Sequence, residues 1–124
     1  MKLTRTAIIA FCAMMAISGC GGPKSGAQKL VKEFLKENLA DPNYKNIYFS
    51  DLDSTFYVTD SIVQVMRTNA DTSTVFKKNI KWAEGPIARK KHFLHVGYKI
   101  GDKKVKQTFY FDDSLTRVIS FKTD

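Results

Sequence analysis

Cysteine is scarce in this 124-residue chain, and both copies, Cys12 and Cys20, fall near its start. From residue 21 onward no thiol remains, which excludes a disulfide framework, a cysteine zinc site and a thiol nucleophile in that stretch. Histidine is equally rare, with only His92 and His95. They lie three apart in a stretch that alternates as a strand does, so they point to opposite faces and do not share a metal. No glycine-rich phosphate loop, dinucleotide fingerprint or nucleophile-elbow pattern occurs, nor any internal repeat or low-complexity tract. The longest apolar run, Ala7 to Ile17, is about 11 residues, short of the ~20 that a bilayer-spanning helix needs. These absences point away from catalysis, and no metal or other cofactor is expected.

What the chain does have begins with that run. Lys2 and Arg5 precede it and Ile17-Ser18-Gly19-Cys20 ends it, a layout that suits a signal peptide. The tetrapeptide resembles the lipobox of bacterial lipoproteins, in which an aliphatic and two small residues precede a cysteine that is acylated. The resemblance implies a leader at residues 1–19, a lipid on Cys20 and loss of Cys12 with the leader. Residues 20–26, with the turn-forming "GGPKSG", then read as a tether of at most ~20 Å, and residues 27–124 as one domain. Gly21 stands where some bacteria use an inner-membrane retention aspartate, so the outer membrane is the favoured location in the cell envelope.

Charge fits such a setting. The whole chain carries a net +8, which falls to about +6 once Lys2 and Arg5 leave with the leader. A basic domain beside a bilayer is drawn to anionic lipid. The densest basic run, Arg89-Lys90-Lys91, is the candidate binding segment, with Tyr110 as an aromatic partner on a polar strand face. The other basic residues are scattered without a recognition-helix or RNA-binding signature, which argues against nucleic acid.

The spacing predicts a helix over 26–40. Ala27, Leu30, Val31, Phe34, Leu35 and Leu39 form one apolar stripe, Ser25 with Gln28 suggests a capping box, and Asp41-Pro42 is a stop. Downstream the period becomes two. Residues 47–49 and 54–59 read as strands, as does "SIVQVMRT" at 61–68, with Asp60 and Ser61 at a turn. "HFLHVGYKI" and "KKVKQTFYF" flank Gly101-Asp102, a glycine-first hairpin turn. Val105, Phe109 and Phe111 share one face of the second strand, and Lys104, Lys106 and Thr108 the other. After the turn "FDDSL" comes a closing strand whose Ile119 and Phe121 are expected to face the same way. The segment 71–83 fits a short helix capped by Asp71 or Thr72, or a strand with Phe76, Ile80 and Trp82 on one face; the helix is the expectation, with Trp82 in the core. The fold class is therefore α+β, an N-terminal amphipathic helix packed on a mostly antiparallel sheet in two layers.

"VKEFLKENLADPNYKNIYFSDL" and "FYFDDSLTRV" are similar to the two ends of small lipoproteins of Bacteroides-type bacteria. There a helix closes on an Asp-Pro turn followed by a tyrosine, and a late strand ends in an aromatic-Asp motif. The resemblance spans about a third of the domain, does not extend to residues 60–90, and implies fold and location without any activity. Asp51, Asp53, Ser54 and Asp60 come nearest to a calcium site but lack the glycine and final glutamate of a calcium loop. Two roles are expected: a membrane-anchored binding module for anionic lipid or an envelope protein, or an accessory subunit of an envelope complex with no ligand of its own.

Overall fold

The computed structural model describes residues 22–124. The leader expected at 1–19 and the lipidation expected at Cys20 lie outside the described residues. The chain is α+β: two helices, α1 (Gly22–Asn38) and α2 (Asp60–Ala70), accompany five strands, β1 (Lys45–Phe49), β2 (Asp53–Thr55), β3 (Lys91–Ile100), β4 (Lys103–Phe111) and β5 (Val118–Thr123). All pair antiparallel in the order β1-β3-β4-β5, and β2 also pairs with β3, beyond β1 on the same edge.

The helix α1 starts four residues before the expected position and takes in Pro23 to Gly26, which the sequence had suggested as tether. Proline is tolerated in a first turn, where its missing N–H has no helical partner. Ala27, Val31 and Leu35 are fully buried, and Phe34 sets its ring 5.6 Å from Phe109 and 5.8 Å from Phe121. With Leu94, Val96, Tyr98 and Val105 these side chains form the larger apolar cluster, on one face of the sheet.

The opposite face carries a second cluster, in which Val63 and Met66 of α2 meet Tyr110 and Ile119. Residues 61–68 are thus a helix and not the expected strand. Ile62, Val63 and Val65 suit a strand by propensity, yet Val63, Met66 and Ala70 make a helical stripe whose burial outweighs propensity. The Thr59 hydroxyl caps it by accepting from the Ile62 N–H at 3.3 Å. With apolar clusters on both faces, a single helix over a single face does not describe the sheet.

Two further expectations fail for local reasons. Segment 71–83 contains no helix. Asp71 and Thr72 instead finish α2, donating their N–H groups to the carbonyls of Thr68 and Asn69 at 3.2 and 3.1 Å. Phe76 then pairs with Leu39 as an isolated bridge, and Phe76, Ile80 and Trp82 pack on the larger cluster, Trp82 half-buried. On β5, Ser120 faces Tyr110 but Val118 faces Phe111, which leaves Ile119 as an extra residue. This bulge sends Ile119 to the α2 side while Phe121 stays with α1, so the two do not face the same way.

The Gly101-Asp102 hairpin forms as read. Ile100 pairs with Lys103 across it, and Gly101 supplies the positive φ of 59° that the first turn position demands.

Candidate functional site

The sequence-derived binding residues do not come together as a site. Lys91 is buried at 1% exposure, and its ammonium donates to the carbonyls of Ala88 at 2.6 Å and Arg89 at 3.2 Å. Burial lowers its pKa, a shift the nearby Asp60 charge partly opposes. Lys91 therefore staples the 88–91 segment and offers no charge to a ligand. Tyr110 is likewise buried, tilted against Phe93 in the α2 cluster, and burial, followed by the charge of Asp124, pushes its phenol pKa up. Lys90 sits 3.9 Å from Asp113, and Arg89 lies over the Phe56 ring, 6.0 Å from its centre. Only Arg89 and Lys90 remain at the surface.

The hairpin brings together a different set of cations. Lys99 stands opposite Lys45 on one side and Lys104 on the other, a row of three like charges across β1, β3 and β4. One step along, Lys106 faces Gly97, and beyond it Lys122 of β5 faces Thr108. Alternation on β4 puts Lys104 and Lys106 on the face opposite Val105 and Phe109. Among the described residues none of these five lysines has a carboxylate partner within ion-pair distance. Like charges placed directly opposite in a sheet are destabilising, so the row costs the fold something that no carboxylate among the described residues offsets.

Beside the row lies an open cleft of about 620 Å³, which Lys103, Lys104, Lys106, Lys122, Ser73 and Thr74 help to line. It forms where the chain leaves α2 and crosses to the other face of the sheet, since Met66 belongs to one apolar cluster and Phe76 to the other. The Ser73 hydroxyl accepts from the Val75 N–H at 3.1 Å, which leaves its own proton free for a ligand. Asp124 also borders the cleft, but its carboxylate is engaged by the Thr108 hydroxyl at 3.0 and 3.1 Å.

Thr108, Asp124 and His95 form a small polar cluster, with His95 Nδ1 2.8 Å from Thr108 Oγ1. Thr108 is buried at 1% exposure, and both neighbours converge on its one hydroxyl. That arrangement ties Asp124, the residue after β5, to β3 across β4. His92 lies on the other side of β3, its Nε2 3.1 Å from the Asp113 carbonyl. No group of three or more metal-ligating side chains occurs among the described residues, and Asp51, Asp53 and Asp60 do not gather into one.

The turn after β4 is held by Asp112, whose carboxylate accepts from the backbone N–H groups of Thr116 at 2.7 Å and Arg117 at 3.0 Å, and from the Thr116 hydroxyl. Burial alone would raise its pKa, but these hydrogen bonds and the Arg117 charge outweigh it and leave the carboxyl below its usual range. Arg117 in turn donates to the carbonyls of Glu84 at 2.7 Å and Pro86 at 2.6 Å, which fixes the 83–86 loop. Comparison with known proteins finds no counterpart: no family model, curated protein or solved structure matches the chain.

Proposed function

We propose that this chain is a membrane-anchored lipoprotein of the cell envelope whose small α+β domain is a binding module, taking an anionic partner at the lysine-rich end of its sheet. The observation that carries the reading is the cross-strand row Lys45, Lys99 and Lys104, without a carboxylate partner among the described residues. A stable fold gains nothing from three facing ammonium groups, whereas an incoming anion is drawn to all of them at once. In this reading Cys20 carries the lipid, the outer membrane is the favoured site, and the domain binds without catalysing. Both parts are testable. Intact-mass measurement of material extracted from cells should give a leaderless chain with acyl mass on Cys20; bare cysteine or an uncut leader would overturn the anchoring. Titration of the full chain with a polyanion should show affinity that falls as salt rises and is lost in Lys99→Glu/Lys104→Glu. Unchanged affinity in that variant would overturn the binding role of the row.

The accessory-subunit reading keeps support from a separate surface. Phe56 and Tyr57 before α2, and Ile62 and Val65 on its outer side, are exposed, Tyr57 to 87%. Exposed apolar side chains around one helix suit contact with an envelope protein.

A further inference from the structure

Resting on the binding reading above, we infer that the lysine cleft takes a ligand bearing at least two phosphate groups, presented from a side other than the chain's own bilayer. Four lysines line the cleft and no arginine does. An ammonium is a compact point charge with three rotatable donors, and a group of four such charges favours the anion with the most charge per group, which is phosphate at about −1.5 to −2 and not a carboxylate at −1. The free Ser73 hydroxyl proton adds a neutral donor of the kind phosphate oxygens accept. The one carboxylate at the rim, Asp124, is already engaged by Thr108. A single phosphate carries about −1.5 to −2 charge at neutral pH and leaves part of this field uncompensated, so two or more are needed. Lys104 and Lys106, on one face of β4 and two residues apart, stand roughly 7 Å apart along the strand, close enough for one small ligand to meet both. The volume of about 620 Å³ falls in the range of small-molecule sites.

The placement of the cleft sets the direction of approach. Val75 lines it, and the Val75 carbonyl accepts from the Ala40 N–H at 3.0 Å, just past the end of α1. At the other end of that helix, Lys24 pairs with Asp51 at 3.1 Å beside the β1 and β2 edge. The 17-residue helix is a strut of about 25 Å between the two ends. Cys20 precedes its first residue by only two positions, a covalent reach of about 7 Å. A lipid there holds the start of α1 at the bilayer and leaves the cleft at the far end.

The test uses the full chain in detergent, titrated with inorganic tripolyphosphate, inorganic phosphate and citrate. Tripolyphosphate should bind roughly ten-fold more tightly than either of the others. Lys104→Gln/Lys106→Gln should lose roughly that factor, while Lys29→Gln/Lys36→Gln on the exposed side of α1 should lose none. Citrate bound as well as tripolyphosphate would overturn the phosphate assignment and leave the anion-binding module standing. If no anion binds, both fall. Binding to phosphatidylglycerol vesicles that depends on Lys104 and Lys106 as strongly as tripolyphosphate binding does would make the host bilayer the source and overturn the direction of approach.

Discussion

The Tyr48 ring lies across Gly97, its directly opposite partner on the neighbouring strand, so closely that a Cβ added at Gly97 would run into the outer ring atoms. Glycine inside a strand is otherwise a weakness, since it loses more entropy on ordering and packs nothing. Here the aromatic ring supplies the covering that the missing side chain does not. Tyr48 remains 56% exposed, so the ring has room to swing away. Gly97→Ala should therefore cost about 1 kcal/mol by displacing it. In a Tyr48→Ala background the same change should be neutral or stabilising, because alanine is the better strand residue once nothing lies over it. Urea unfolding of the four chains measures the coupling; additive effects would show that the ring and the glycine do not depend on each other.

Neutralising the basic run separates a structural lysine from surface ones. Arg89→Gln/Lys90→Gln should leave the thermal midpoint nearly unchanged, since a cation–π contact and a long, exposed ion pair contribute little. Adding Lys91→Gln removes two charge-assisted hydrogen bonds to the Ala88 and Arg89 carbonyls in a buried position. A loss of about 1.5–3 kcal/mol is expected, lessened by relief from burying a charge. Thermal melts of the double and triple variants decide it, and equal midpoints would contradict the stapling role.

The difference between Lys91 and its neighbours marks where the sequence stopped being readable. The β3–β4 hairpin was legible throughout: alternation separated Val105 and Phe109 from Lys104 and Lys106, and Gly101-Asp102 named the turn. The stripe of α1 was legible for the same reason, one period over a long segment. Residues 61–68 were misread because their β-branched content and their helical stripe pull opposite ways, and only the sheet face waiting for Val63 and Met66 resolves the conflict. Segment 71–83 has no partner of its own period and takes its shape from Leu39 and Phe121. The basic site was half visible. Lys104 and Lys106 shared a face in the sequence, but bringing Lys45, Lys99 and Lys122 to them is a matter of register, which one strand does not encode. A run of adjacent cations was the louder signal, but Arg89 and Lys90 precede β3 while Lys91, its first residue, is buried.

Acid should release the turn after β4 only at a pH below the ordinary carboxylate range. Asp112 accepts two backbone N–H groups and one hydroxyl, and its carboxyl is held below the usual value. A carboxyl depressed in the folded state contributes stability that is complete above its unfolded pKa and is lost as pH falls through its folded pKa. Asp112→Ala should cost about 1–3 kcal/mol at neutral pH by leaving those donors unpaired. The gap to the wild-type chain should narrow in strong acid, where the wild-type carboxyl is protonated too. Urea midpoints across that range test the sign; a gap that widens on acidification would refute it.

Removing the middle charge of the lysine row should make the protein more stable and less able to hold an anion. Lys99 faces Lys45 and Lys104 at once, so Lys99→Gln relieves two repulsions while keeping the length of the side chain. A gain of roughly 0.2–1 kcal/mol is expected at low ionic strength. Because these ammonium groups are at or near the surface, the gain should shrink as salt shortens the screening length to about 8–10 Å and below. Lys29→Gln, on the exposed side of α1, serves as the control and should change little at any salt. A bound polyanion stabilises the folded state by mass action, and more so where it meets all the lysines. Adding tripolyphosphate should therefore close the gap and then reverse it, leaving the wild-type chain the more stable of the two. Thermal midpoints at low salt, high salt and with the polyanion give the three comparisons. A variant less stable than wild type without any anion would show that the row is held for the fold and not for a ligand.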